Sequence, residues 1–291
     1  MLKVVISVFQ AVVIGLIQGL TELFPLSSLG HSVIVPQLLG WNLHQSDSYY
    51  LTFLVATHLA TAIVLFLFFW REWLKILGGL KRSFLSRRID SADTYAKIGW
   101  LLVVGTIPAG IIGLLFQQSL QRIFASAQIA SGLLILNGII LFGAEKLRLR
   151  ANNRKRGIEQ SDESIAKLSW AHSLGIGAAQ SAALLPGISR SGSSMAGGLL
   201  VGLNNEDAAR FSFLLATPII GAAALLKLPD FFTASIAPER MAIVAGALCA
   251  ALTAYLSVRF LIKYFQTNTL KPFAAYCVLA GITFSLYLWL K

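Results

Sequence analysis

Ile14-Gly-Leu-Ile-Gln18-Gly-Leu-Thr21-Glu22-Leu-Phe-Pro25-Leu-Ser27-Ser28-Leu29-Gly30-His31 starts as an apolar helix and then breaks into a carboxylate, a proline, two serines and a histidine. A carboxylate closing an apolar run is costly unless it faces protein, water or an ion, so it marks a functional position. The stretch has an echo. Ile14-Gly15-x-x-Gln18 returns as Ile176-Gly177-x-x-Gln180, and Pro25-x-Ser27-Ser28-x-Gly30 returns as Pro186-x-x-Ser189-Arg190-Ser191-Gly192. Downstream, Phe53-Leu-Val-Ala-Thr57 returns as Phe213-Leu-Leu-Ala-Thr217. Three echoes in one order and at nearly one offset mark two halves of a single fold.

The surrounding chain sets the environment. With 56% hydrophobic and 13% charged residues among 291, and a mean hydropathy of +0.71, it is too apolar for an ordinary soluble domain. Apolar runs at 51–70, 98–117, 127–145, 208–228, 240–262 and 272–290 predict transmembrane helices. Asn204 or Asn205 caps the fourth of them, with Glu206 and Asp207 in its first turn. Residues 4–24, stopped by Pro25, and the short run 29–40 read as a broken helix pair. So do 171–185 and the run ending at Leu203, while 41–50, with His44, Asp47 and Ser48, reads as a polar linker. The fold class is therefore an all-α integral membrane protein: six transmembrane helices plus two re-entrant helical hairpins in an inverted repeat. One membrane domain covers 1–291, made of repeat 1 (1–146) and repeat 2 (165–291) joined by a basic cytoplasmic loop (147–164). If 4–24 spans the bilayer alone, the repeats become parallel instead.

The formal charge of +11 does not point to nucleic acid, because the basic residues sit in loops between apolar runs. Loops 71–97 and 146–167 and the 263–271 segment fall on one side; Lys3, Arg122, Arg240 and Lys291 fall on the other, apart from Lys227 near a helix end. The positive-inside rule makes the first side cytoplasmic and leaves both termini outside. Glu72 and Glu145, at span ends, read as solvated. Cys249 and Cys277 lie in apolar runs and give neither a disulfide framework nor a metal spacing.

Two hairpins entering from opposite faces pool Glu22, Ser27, Ser28 and His31 with Ser189, Arg190, Ser191, Ser193 and Ser194 near the midplane. An arginine there needs an anion, and a phosphate suits its planar fork of donors; the alternative is an Arg190–Glu22 pair that only holds the halves together. Either Ser27 or Ser28 shares a helical face with His31, which makes a serine–imidazole pair a candidate nucleophile. Glu22 suits a divalent cation or a base. His58, alone on an apolar helix, reads as a core histidine rather than a ligand.

Gln18-Gly-Leu-Thr-Glu22-Leu-Phe-Pro-Leu-Ser27-Ser28-Leu29-Gly30-His31, Pro186-Gly-Ile-Ser189-Arg190-Ser191-Gly192 and Arg210-Phe-Ser-Phe-Leu-Leu-Ala-Thr-Pro218 resemble the motifs of the bacterial undecaprenyl-diphosphate phosphatase family of the bacitracin-resistance type. The resemblance runs over essentially the whole chain. It implies hydrolysis of the terminal phosphate of undecaprenyl diphosphate, a C55 isoprenyl diphosphate, with Mg²⁺ or Ca²⁺. The lipid monophosphate is then recycled for cell-wall (peptidoglycan) synthesis, which confers bacitracin resistance. The same resemblance places the protein in the bacterial plasma (inner) membrane, multi-pass, its active site facing the extracytoplasmic side. It makes Ser28 the nucleophile, His31 its proton partner, Arg190 the diphosphate clamp, and Glu22 the metal or water organiser, with Gln18 as a second metal ligand. Ser27, Ser189, Ser191, Gly192 and Ser194 form the phosphate cradle. Gln18 stands where some members carry Glu, Leu29 where Ser or Thr is usual, and Cys277 where Arg is usual. The competing reading is a prenyl-phosphate flippase or transporter, since paired broken helices in inverted repeats also build transporters. A homodimer is compatible with either.

Overall fold

The computed structural model describes residues 6–43, 48–123, 126–152, 161–231 and 240–290. His44 and Asp47 of the polar linker, Lys3, Lys291 and the stretch 153–160 of the second basic loop lie outside them. The described residues form helices only: α1 (Val8–Leu23), α2 (Ser28–Leu38), α3 (Ser48–Phe68), α4 (Trp70–Ser86), α5 (Thr94–Ile123), α6 (Ala127–Asn152), α7 (Ser161–Ala166), α8 (Trp170–Ser181), α9 (Arg190–Leu200), α10 (Asn205–Phe231), α11 (Arg240–Tyr264) and α12 (Lys271–Leu290). Six of them are long and apolar enough to cross a membrane, namely α3, α5, α6, α10, α11 and α12. With α1 at 16 residues, its length is about 24 Å, short of a hydrocarbon core about 30 Å thick.

Both broken pairs start with the same cap. Ser7 accepts from Gln10 N and Ser169 from His172 N, at 3.2 and 3.1 Å. Their first helices then cross over. α1 packs along α11 of the second half, and α8 packs along α5 of the first. Glycines make this contact: a Cβ on Gly15 would lie 2.2 Å from Gly246 O, and one on Gly177 would lie 2.1 Å from Gly105 O. Nothing larger fits at either crossing.

Two segments differ from the sequence reading. Most of the basic stretch 71–97 is not loop but α4, because Trp73, Ile76, Gly79 and Ser83 recur at helical spacing and face α5 while the charges take the other side. The second basic loop likewise shrinks, with α6 running to Asn152 and α7 following at Ser161. Asn204 is the residue that caps α10, accepting from Asp207 N at 2.7 Å; Asn205 instead donates to Asn268 O.

Neither Glu72 nor Glu145 is solvated. Glu145 is fully buried, pairs with Arg148 at 2.6 Å and accepts from Leu270 N at 3.2 Å, at the start of α12. Arg210 of α10 clamps Glu72 of α4 at 2.7 Å and Asp162 of α7 at 2.5 Å. Burial raises the Asp162 carboxyl, but the Tyr95 hydroxyl and Arg210 outweigh it and hold the group below its usual value. A lowered carboxyl stabilises the fold fully above the ordinary pKa of about 4 and loses that contribution as pH falls through the folded-state value. Arg210→Ala strands two carboxylates beside each other, so a loss of about 3 kcal/mol is expected, read as a lower thermal midpoint in detergent. A midpoint unchanged at pH 7 would show the clamp to be dispensable.

Candidate active site

The two helix breaks meet. α1 stops because Phe24 is extended and Pro25 has no N–H to continue the ladder. α2 then starts from Ser27, which sits at φ 68°, ψ 92°, a left-handed conformation that a serine adopts only when its surroundings hold it there. Its hydroxyl accepts from Gly30 N at 3.2 Å and, across the interface, from Gly187 N at 3.0 Å. On the second hairpin, α8 ends through a 3₁₀ turn at Ala182–Leu184, and Ser189 caps α9 by accepting from Gly192 N. Asn137 of α6 joins the tips, donating to Pro25 O and accepting from Ser189 N, both at 3.0 Å. Two helix N-termini, α2 and α9, thereby face one meeting point, the ordinary setting for an anion.

Glu22 is the hub. Its Oε1 takes Arg190 Nη2 at 2.7 Å; its Oε2 takes Ser28 Oγ at 2.5 Å and Gln18 Nε2 at 3.1 Å. His58 Nε2 stands 3.3 Å from the same Oε2. With Nδ1 donating to Leu54 O at 2.7 Å, His58 can donate to the carboxylate only as imidazolium. Glu22 is 4% exposed, and the Arg190 guanidinium, the Ser28 hydroxyl and the Gln18 amide carry its charge. His58 lies midway along α3 (Tyr49–Phe68 of which is apolar enough to span) and Asn137 midway along α6. The hub and the hairpin tips are therefore level with the middles of two long apolar helices.

The expected residues divide into three groups. Glu22, Gln18, Ser28 and Arg190 come together as one cluster. Ser27, Ser189, Ser191 and Gly192 form the hairpin tips, where Ser191 Oγ donates to Phe24 O and lies 3.1 Å from Ser189 Oγ. Ser194 does not reach the cluster; it turns back to Arg190 O and meets Ser212 Oγ at 2.6 Å, tying α9 to α10. The serine–imidazole pair is the clearest correction. His31 Nδ1 donates to Ser27 O at 2.8 Å, and its Nε2 accepts from Tyr276 OH at 2.9 Å, so both ring nitrogens are engaged by groups other than Ser28. Ser28 is paired with Glu22 instead. Cys277 meets Asn137 and Pro25 O behind the tip, and not Glu22 or Arg190.

Tyr276 and Asn137 escaped the sequence reading, and His58, expected as a core histidine, stands against Glu22. All three are polar residues inside apolar spans, the kind of position that marks a buried polar contact. For a divalent cation, no group of three or more His, Cys, Asp or Glu exists among the described residues. One buried oxygen, Gln18 Oε1, has no hydrogen-bond partner beside the Glu22 carboxylate. A carboxylate plus an amide oxygen can share Mg²⁺ with substrate phosphates, and here the ion would have to displace one of the donors that already occupy both Glu22 oxygens.

Long apolar helices around this charged centre define the class, a multi-pass membrane protein. The chain belongs to the family described as bacitracin resistance protein BacA, whose model matches residues 11–283. It is 46% identical, over 95% of both chains, to the undecaprenyl-diphosphatase of Mycolicibacterium paratuberculosis. It is 44% identical to that of Acidiphilium cryptum over 93% of this chain and 94% of the relative, and 42% identical to that of Granulibacter bethesdensis over 95% of each.

Proposed function

We propose that this protein hydrolyses the terminal phosphate of undecaprenyl diphosphate, releasing undecaprenyl phosphate for reuse in cell-wall synthesis and so conferring bacitracin resistance. The observation that carries this is the Ser28–Glu22–Arg190 line, a hydroxyl donating at 2.5 Å to a carboxylate whose other oxygen is held by a guanidinium at 2.7 Å. Ser28 Oγ attacks the terminal phosphorus and gives its proton to Glu22 Oε2. The phosphorus–oxygen bond to the inner phosphate breaks, and its electron pair leaves with the lipid monophosphate. Water then cleaves the phosphoserine, and the serine oxygen takes back a proton. Arg190 and the N-termini of α2 and α9 hold the charge on the phosphoryl oxygens. Ser27, Ser189, Ser191 and Gly192 shape the cradle. Glu22 and Gln18 Oε1 would hold a divalent cation, which when bound neutralises phosphate charge. His31 positions the α2 N-terminus through Ser27 O and Tyr276.

The hairpins α1–α2 and α8–α9 are re-entrant and inverted relative to each other in this reading, supported by the short α1, the level of the tips, and the crossed α1–α11 and α8–α5 contacts. The active site opens to the extracytoplasmic side of the bacterial plasma membrane. The described parts of the basic segments 71–97, 161–167 and 263–271 gather at one end through Arg210, Asn205 and Glu145, which supports a single cytoplasmic face.

Inorganic phosphate released from the C55 diphosphate by purified protein in detergent with Mg²⁺ is the direct test. Wild type should be active, and Ser28→Ala and Arg190→Ala should each lose more than about a hundredfold. An inactive wild type that moves prenyl phosphate across liposome bilayers would establish the transporter instead. Labelling of cysteines placed in 147–164 from outside intact cells would overturn the orientation.

A further inference from the structure

The second hairpin has a polar level of its own, one that Glu22 chemistry does not use. Gly197 of α9 faces α8 so closely that a Cβ there would lie 3.3 Å from Ile176 Cα and 3.4 Å from Ala179 Cβ. Four residues toward the tip on each helix, on the same faces, come Gln180 on α8 and Ser193 on α9. Gln180 is 2% exposed and Ser193 5%. Neither Gln180 Nε2, Gln180 Oε1 nor Ser193 Oγ has a hydrogen-bond partner. Buried amides and hydroxyls are rarely left so, and each such group asks for a ligand or an ordered water.

The repeat explains how this arose. In the first hairpin, Gln18 donates to Glu22 one turn further on. Gln180 is the counterpart of Gln18, and the residue one turn further on is Leu184. The second hairpin thus carries the amide without a carboxylate one turn on. A cation would find no charge on these residues. Donors prevail, and one turn toward the tip Arg190 Nη1 is a further buried donor without a partner. Its other nitrogens are spent on Glu22, so Nη1 is the guanidinium nitrogen left for a ligand.

We propose that Gln180 and Ser193, with Arg190 Nη1 at their edge, form a second phosphate-oxygen site, separate from the Glu22–Ser28 centre. Its occupant is either the inner phosphate of a lipid diphosphate whose outer phosphate lies at Ser28, or inorganic phosphate. The first alternative rests on the phosphatase reading; the second does not.

The test uses the full-length protein in detergent, with Gln180→Leu, Gln180→Glu and Ser193→Ala beside wild type. Binding of inorganic phosphate is followed by ³¹P line broadening, and kcat and KM by phosphate release from the C55 diphosphate. Thermal midpoints report folding, and Gln180→Leu should not lower its own, because it removes two unpaired polar atoms. For an inner-phosphate site, KM rises about tenfold or more in Gln180→Leu, the loss expected for a hydrogen bond to a charged oxygen, while kcat and phosphate binding hold. Gln180→Glu, of the same size but anionic, should be worse still. For an inorganic-phosphate site, phosphate binding weakens by a similar factor and KM holds. Unchanged KM and unchanged phosphate binding in all three folded variants would overturn the proposal and leave a hydrated polar group. A fall in kcat that tracks a fall in thermal midpoint, with KM unmoved, would also overturn it, in favour of a packing role. A wild type that releases no phosphate fails the phosphatase reading alone, since ³¹P binding still decides the site.

Discussion

Phosphate release by Glu22→Gln is expected to be slower than wild type by about three orders of magnitude in kcat, with KM unchanged or lower. The direction of each change follows from the hub. Glutamine keeps the shape but cannot take the Ser28 proton, and it removes the anion that holds Arg190. Arg190 then loses its 2.7 Å partner and becomes free for substrate phosphate, so binding holds or tightens while chemistry stops. Arg190→Ala should split the other way, raising KM as well as lowering kcat. A Glu22→Gln protein within tenfold of wild type would remove the carboxylate from the mechanism and reduce the Arg190–Glu22 contact to a structural ion pair.

The second large effect lies at the opposite tip. Gly187 has φ +104°, and a Cβ on it would sit 2.3 Å from Ala130 O and 2.7 Å from Leu133 Cβ on α6. Backbone cannot yield as a flexible side chain does. Gly187→Ala therefore combines a strained dihedral with overpacking, a loss of about 3 kcal/mol or more. It also withdraws Gly187 N from Ser27 Oγ, the bond holding Ser27 in its left-handed conformation beside Ser28. The expected result is a lower thermal midpoint and near-complete loss of phosphate release. Gly143→Ala on α6 is the control, because its Cβ would meet nothing within 4 Å and alanine favours helix. Equal behaviour of the two variants would show that the tip is not tightly built.

The broken helices were legible because proline, glycine and serine interrupt otherwise continuous apolar runs, and the six spans were legible by length alone. The α4 helix was not, since its charges occupy one face and hide the apolar spacing of Trp73, Ile76 and Gly79 from any count of composition. At the site, the union of Glu22 with Arg190 could be read from one buried acid and one buried base in matching halves. The pairing of Ser28 with His31 was misread because shared helical face ignores where the helix begins. α2 starts at Ser28, so the Ser27 carbonyl is the first acceptor of the helix, and it takes His31 Nδ1 as well as the His31 amide. Tyr276 and Asn137 are distant in sequence from everything they touch, and no local pattern announces them.

The glycine crossings bear on how the chain is made. α1 leaves the ribosome early, yet the groove at Gly246 that receives Gly15 is on α11, nearly the last helix synthesised. α8, by contrast, emerges to find Gly105 of α5 already in place. The hairpin carrying Ser28 and Glu22 can therefore complete its packing only when translation is almost finished. A chain truncated before α11 should lack the surface that holds α1, and with it activity.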